Sequence, residues 1–301
     1  MSFVVAGGTG FIGQALVDRL ARRGHGVTIV TRRRAPPRME TGLKSVAWSL
    51  DTGPELVRAV EEAETVVNLA GEPVVGKRWS PMQKEAILES RVRSTRLLVQ
   101  AIAKSRKKPL AFVSASAVGF YGDRGNETLD EKSLGGVGFL AETCRRWEEE
   151  ALQAEKLGVR TVLLRIGVVL GKGGGALDKM LGPFRLGLGG PIGNGGQWMS
   201  WIHLNDLVRL IEWAAAQNSV SGPLNGTAPH PVLMKDFARA LGKALGKPAF
   251  FPVPGFLLKI ALGEAAGLLL ASQKVLPRKA AGAGFAHDFP NLDGALSDLL
   301  S

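Results

Sequence analysis

The chain opens on SFVVAGGTGFIGQALVDRLARRG, an apolar run that ends in closely spaced glycines and passes straight into a helical pattern. No other stretch constrains the fold as much. Phe11, Ile12, Ala15, Leu16 and Leu20 recur at the spacing of one helix face, so the order is strand, turn, helix. Within the turn, Gly7, Gly10 and Gly13 follow a G-x-x-G-x-x-G spacing. The first permits a tight turn, the second lets backbone approach a pyrophosphate, and the third allows the helix to pack closely on the strand. The helix N-terminus then faces the phosphates with its unpaired N–H groups. Such a triplet is weak alone, but between an apolar strand and a helix it indicates dinucleotide binding, with Gly7, Gly10, Phe11, Ile12 and Gly13 as candidate contacts.

The same alternation continues. VTIVTR and SVAWSL read as strands, LVRAVEEA as a helix, TVVNLAG as a strand and residues 81–106 as a long helix. A strand over 111–114, a helix around 140–157 and a single strand RTVLLRIGVVL follow. Strands separated by helices of this size give right-handed crossovers, hence a doubly wound parallel α/β sheet of the Rossmann type. That domain is placed at residues 1–170. A smaller C-terminal substrate lobe is placed at 171–301, interleaved with the core around 200–228. In the lobe, residues 171–196 are dense in glycine and proline yet carry Phe184, Leu186 and Ile192, which suits a substrate-side wall. WIHLNDLVRLIEWAAA and LMKDFARALGKALG read as helices, and residues 256–271 as a buried helix, since Lys259 and Glu264 interrupt a run already too short to span a bilayer.

At the end of the second strand an Asp or Glu would select NAD by meeting the ribose 2'-hydroxyl. Here Thr31, Arg32 and Arg33 stand in that place. A carboxylate would repel a 2'-phosphate, whereas a guanidinium pairs with it through two charge-assisted hydrogen bonds, so NADP(H) is the expected cofactor and Arg32 the foremost contact. The net charge of +11 does not itself point to nucleic acid. Its arginine clusters lack interleaved aromatics and no nucleic-acid motif accompanies them, so the expected partner is a small molecule, with neither nucleic acid nor membrane. Cys144 is the only cysteine, which excludes an internal disulfide and a cysteine metal cluster; with no secretory pattern at Phe3, the expected location is the cytoplasm.

GGTGFIG, NLAG at Asn68 to Gly71, the serine-rich strand end before FYG, and WIHLNDL together resemble the extended short-chain dehydrogenase/reductase superfamily. NLAGEPVVGKRW, PFRLGLGGPIGNG and QKVLPRKAAGAGF are similar, more narrowly, to its atypical NAD(P)-dependent epimerase branch with a C-terminal domain of unknown function. The resemblance covers essentially the whole chain. It implies that Leu69 and Ala70 lie against the adenosine, that Val168 and Val169 lie near the nicotinamide, and that Glu85 and Arg91 stand on the cofactor-facing edge of one helix. It also implies an oxidoreductase or epimerase step on a sugar nucleotide or similar compound.

In that superfamily a serine at the strand end orients the substrate, a later tyrosine moves the proton, and a lysine one turn beyond lowers the tyrosine's pKa. An unassisted phenol is a poor base at neutral pH. Ser116 fits the first role, but counting on at the family's spacing reaches Phe139 and Thr143. The single tyrosine, Tyr121, sits earlier, and the residue four beyond it is Gly125. Ser116 and Tyr121 are therefore the catalytic candidates. Arg185 and His203 are the substrate-side ones, with a buttressing role the simpler reading of His203. No metal site is expected. A non-catalytic NADP(H)-binding sensor is the alternative that loss of the Tyr/Lys pair leaves open.

Overall fold

The computed structural model describes residues 1–31, 43–47 and 52–301. Along the chain, β1 (Ser2–Ala6), α1 (Phe11–Arg22), β2 (Gly26–Thr31), β3 (Lys44–Ala47), α2 (Pro54–Glu61), β4 (Thr65–Asn68), α3 (Pro81–Lys104) and β5 (Ala111–Ala117) form the first half. β6 (Thr128–Leu129), α4 (Phe139–Leu152), β7 (Arg160–Ile166), β8 (Val168–Leu170), α5 (Gly175–Arg185), β9 (Trp198–Met199), β10 (Trp201–His203), α6 (Leu204–Ala216) and β11 (Gly222–Gly226) follow. β12 (Val232–Leu233), α7 (Met234–Leu245), α8 (Gly255–Leu262), α9 (Ala266–Leu270), β13 (Lys274–Val275), α10 (Arg278–Gly282) and α11 (Leu292–Leu300) close the chain.

Seven strands make one parallel sheet in the order β11-β7-β5-β4-β1-β2-β3. The order reverses at β1, which pairs with β2 on one side and β4 on the other. A ligand crevice is expected outside the carboxyl ends of strands at such a reversal. The unbroken apolar run of β1 follows from burial on both faces. Phe3 and Val5 join α1 and α6 side chains such as Leu16, Leu20, Leu207 and Ile211, while Val4 and Ala6 join Leu56, Val60, Leu98 and Ile102 of α2 and α3. A separate core formed by Leu177, Phe184, Trp201, Phe237, Leu241 and Leu296 holds the C-terminal lobe.

The structure departs from the sequence reading at four places. RTVLLRIGVVL is two strands, because the chain leaves the large sheet at Gly167. A Cβ there would lie 2.5 Å from the Ser200 carbonyl oxygen, and the next N–H, of Val168, donates to that oxygen at 2.8 Å. Trp201–His203 is not helical but pairs with β8, and α6 begins only after His203, whose ring Nδ1 accepts from the Asn205 N–H at 3.1 Å. GPLNG adds β11 as a seventh strand, unreadable beforehand because glycine, proline and asparagine are poor strand formers and only pairing with β7 supports it. Residues 256–271 are not one buried helix: the chain turns at Gly263 (φ +60°), and α8 has no buried residue.

Candidate functional site

The turn between β1 and α1 is held by its own backbone. Gly7 has φ +79°, and the Gly10 N–H donates to the Gly7 carbonyl at 3.0 Å. A Cβ on Gly7 would fall 2.7 Å from the Leu69 carbonyl carbon, and one on Gly13 would fall 2.1 Å from the Gly7 oxygen. Both glycines are thus required by the fold. Gly10 is different. Its backbone is extended (φ −81°, ψ 173°), a Cβ would approach only the Gly7 oxygen, at 3.3 Å, and no side chain caps the helix that starts beside it. The first N–H groups of α1 are therefore left without a side-chain acceptor, an arrangement that suits an anion. Phe11 lies beneath the loop after β8, where a Cβ on Gly171, Gly174 or Gly175 would come within 2.8, 2.7 and 2.8 Å of its ring, which accounts for the glycines of that loop.

Around this turn, Thr31 is buried at the end of β2, while Arg32 and Arg33 lie outside the described residues. Leu69 and Ala70 are half-buried at the end of β4. The Leu69 N–H donates to Ala6 and the Ala70 N–H to the Asn68 side chain at 3.2 Å. Val168 and Val169 are half-buried in β8, across the sheet's C-terminal edge. Arg91 is braced against the loop after β4: its Nη1 donates to the carbonyls of Glu72 (2.9 Å) and Ile87 (3.0 Å), and its guanidinium stands 5.2 Å from the Trp147 ring centre. Burial lowers its pKa. Glu85, on the same helix, points to solvent.

Ser116 and Tyr121 belong to one buried polar cluster. Ser116 Oγ donates to Glu148 Oε1 at 2.6 Å, and Arg165 grips the same carboxylate from Nε (2.9 Å) and Nη2 (2.8 Å). Arg165 is the residue opposite Ser116 in the β5–β7 register, so one sheet face brings them together. Its Nη1 donates to the Tyr121 hydroxyl at 3.1 Å, and that hydroxyl in turn donates toward Asn225 Oδ1 (2.8 Å) and the Asp130 carbonyl (3.0 Å). The Arg165 guanidinium also covers the Phe120 ring at 3.5 Å. Burial tends to lower the Arg165 pKa, but hydrogen bonding to Glu148 and its charge outweigh it and raise the net value. Tyr121 is 0% exposed, and burial pushes its hydroxyl above the ordinary phenol value. Its side chain is a strut inside the cluster and not a group on the crevice surface. Cys144, one helical turn before Glu148, is enclosed too, and burial pushes its thiol up to about 11.

The position at which the resemblance would place a tyrosine holds Phe139, the first residue of α4, packed edge-on against Trp79 with ring centres 5.2 Å apart. Leu262 and Ala265 close over that pair. Thr143, at the lysine position, is buried and returns its hydroxyl to the Phe139 carbonyl at 2.8 Å. The substrate-side candidates sit apart from Ser116. Arg185 is exposed at the end of α5, on a small hollow lined by Lys172, Asp178 and the last residues of α11. His203 is buried, stacked on Phe289 at 4.0 Å, with Nε2 lying 3.3 Å from Asp298 Oδ2 without hydrogen-bond alignment. Burial lowers its pKa. It terminates β10 and caps α6, the buttressing role. Among the described residues no group of metal-ligating side chains comes together, and no helix is long and apolar enough to cross a membrane.

The sequence reading missed Glu148, Arg165 and Asn225. A signal existed for one of them: an arginine inside the buried strand RTVLLRI has to find a carboxylate partner. Which carboxylate it finds is set by how α4 lies on the sheet.

Comparison with known proteins places this arrangement. Residues 3–225 match the NAD dependent epimerase/dehydratase family, and residues 253–299 match a domain of unknown function, DUF1731. A chloroplastic epimerase family protein SDR39U1 homolog of Arabidopsis thaliana is 43% identical over 308 residues, covering 100% of this chain and 87% of the relative. The crystal structure of human epimerase family protein SDR39U1 (isoform 2) with NADPH superposes with a TM-score of 0.88 at 37% identity, covering 100% of this chain and 99% of that one. A nucleoside-diphosphate sugar epimerase from Corynebacterium glutamicum superposes at 0.80 with 33% identity, over 100% of this chain and 58% of that one.

Proposed function

Because this chain belongs to the NAD dependent epimerase/dehydratase family, we propose that it binds NADP(H) along the carboxyl edge of its sheet and performs an oxidoreductase or epimerase step on a small molecule. The observation that carries the reading is Gly10. Its extended backbone is open to any residue and a Cβ would press only on the Gly7 carbonyl oxygen, at 3.3 Å, while the uncapped helix N-terminus beside it leaves bare backbone for a ligand to approach. The human relative crystallised with NADPH supports the phosphorylated cofactor.

The backbone from Gly7 to Gly13 would hold the pyrophosphate, Leu69 and Ala70 would border the adenosine, and Val168 and Val169 the nicotinamide. Thr31, Arg32 and Arg33 would meet the 2'-phosphate side. A bound nicotinamide supplies reversible hydride transfer. The chain's own contribution begins with Ser116. Ser116 is itself buried and gives its hydrogen to Glu148, so a substrate hydroxyl that it orients would donate to its oxygen. Glu148, Arg165 and Tyr121 fix that orientation from below. The substrate class that fits best is a sugar nucleotide, supported by the nucleoside-diphosphate sugar epimerase among the similar structures.

Titration calorimetry tests the cofactor. NADPH should bind more tightly than NADH, and Arg32→Ala should cost NADPH about 1.5 to 3 kcal/mol, the range for a hydrogen bond to a charged group, while sparing NADH. Retention of neither dinucleotide would overturn the reading, and equal losses for both would overturn the 2'-phosphate assignment. A second reading, a dinucleotide sensor without turnover, is favoured by the enclosed Tyr121 hydroxyl and by Phe139 under its apolar cover. A steady NADPH absorbance across a panel of carbonyl compounds, together with no epimerised product from a panel of sugar nucleotides, would select it.

A further inference from the structure

The C-terminal lobe carries an apolar patch that the described residues leave exposed. In α8, Phe256 and Ile260 are 63% and 67% exposed, with Leu257 on the same face and exposed as well. The patch does not stop at that helix. Phe250, 69% exposed, Phe251 and Val253 precede it, and this segment lies against residues 189–192: the Phe251 N–H donates to the Gly189 carbonyl and the Val253 N–H to that of Pro191. Leu186 and Leu188, both exposed, extend the surface from that side, where a Cβ on Gly187 would stand 3.5 Å from Pro248. Eight large apolar side chains thus share one area, well beyond scattered surface hydrophobics.

The charge around the patch has one sign. Arg185 adjoins Leu186, Lys243 and Lys247 precede Phe250, and Lys259 lies within α8, all four exposed. Residues 237–262 contain no Asp or Glu. The nearest acidic groups are committed elsewhere: Glu264 pairs with Lys84 and Asp236 with Arg239, while Asp178 lines the hollow beside Arg185. A second copy of this chain would bring a like-charged rim against this one, which opposes self-association. An anionic surface is attracted by the rim and accepts the aromatic and aliphatic side chains behind it. α8 is too short to span a bilayer and Lys259 interrupts it, so it would lie in the interface plane.

We propose that residues 185–188 and 247–260 form a docking surface for an anionic lipid bilayer, with the phenylalanine, leucine and isoleucine side chains entering the headgroup boundary and the lysines and Arg185 meeting lipid phosphates. The sequence reading took residues 256–271 as a buried helix too short to span a bilayer; α8 within them has no buried residue.

The test is co-sedimentation of the full chain with vesicles of phosphatidylcholine alone and of phosphatidylcholine mixed with phosphatidylglycerol. The native protein should pellet with the anionic vesicles, less so as salt is raised, and little with the neutral ones. Lys247→Gln and Lys259→Gln should each lower partitioning by roughly fivefold, the equivalent of the ~1 kcal/mol typical of one basic residue at an anionic surface. Phe256→Ser with Ile260→Ser, both at exposed positions, should abolish it while leaving the circular dichroism spectrum and the NADPH affinity unchanged. No pelleting with anionic vesicles, or pelleting unaffected by the Phe256/Ile260 variant, overturns the proposal. So does light scattering that shows a dimer dissolved by that variant.

Discussion

Replacing Glu148 should expose how much the buried cluster under Ser116 depends on mutual pairing. Its carboxylate receives three hydrogen bonds, one from Ser116 and two from Arg165, and both charged side chains are almost fully enclosed. Glu148→Leu leaves Arg165 buried beside the Tyr121 hydroxyl and the Phe120 ring. An uncompensated buried charge of this kind costs about 3 to 5 kcal/mol, against 0 to about 1 kcal/mol for an exposed pair. Arg165→Met should cost a similar amount by stranding the carboxylate. Glu148→Leu combined with Arg165→Met removes both charges at once, and Tyr121 keeps Asn225 and the Asp130 carbonyl as partners, so the double variant should be more stable than either single one. Urea unfolding followed by tryptophan fluorescence reads all three, with the midpoint shift converted through the m-value. Single losses below about 1 kcal/mol, or losses that simply add in the double variant, would refute the claim that the two charges stabilise one another.

Three further outcomes follow from the same structure. Gly10→Ala, whose Cβ would press on the Gly7 oxygen at 3.3 Å, should lower the unfolding midpoint less than Gly13→Ala while sharply weakening NADPH binding, whereas Gly13→Ala should destabilise the fold by about 1 to 3 kcal/mol because its Cβ would overlap the Gly7 carbonyl. Tyr121 is the only tyrosine, so the phenolate absorbance band reports it alone. Its folded-state pKa is raised, so its contribution to stability is complete below the ordinary phenol value of 10.0 and is lost as pH rises through the folded value; ionisation should coincide with alkaline unfolding, and a titration in the intact fold near 10.0 would contradict its burial. Asp206, fully buried, accepts the Asp288 and Phe289 N–H groups at 2.8 and 2.9 Å, so Asp206→Ala should cost about 3 kcal/mol in the unfolding assay, roughly the sum of two unmade hydrogen bonds.

Local chemistry in the amino-acid order was enough for the first half of the molecule. The glycine turn, the apolar strands and the 3.6-residue stripes of α1 and α3 are each decided within a few neighbours, and the parallel doubly wound sheet follows from their alternation. Counting on from Ser116 at the spacing that the resemblance implies reached Phe139 and Thr143, neither of which carries an ionisable group. Local chemistry could not find β11, whose residues become a strand only against β7, nor the break at Gly167, which depends on the distant Ser200 carbonyl.

Ser116 was legible as a strand-end serine, but its partner was not. Glu148 is one of several glutamates on α4, and only the packing of that helix against β5 and β7 distinguishes it from its solvated neighbours. Tyr121 likewise looked available beside a strand end until the tertiary fold enclosed its hydroxyl among Arg165, Asn225 and Asp130. The exposed α8 reverses the case: its composition argued for burial, yet none of its residues is buried among the described residues. Sequence alone therefore determined the cofactor-side architecture, where each residue's state depends on its neighbours in the chain. The three-dimensional fold decided which polar groups are paired and which apolar ones are left uncovered, because burial and hydrogen bonding are set between residues far apart in sequence.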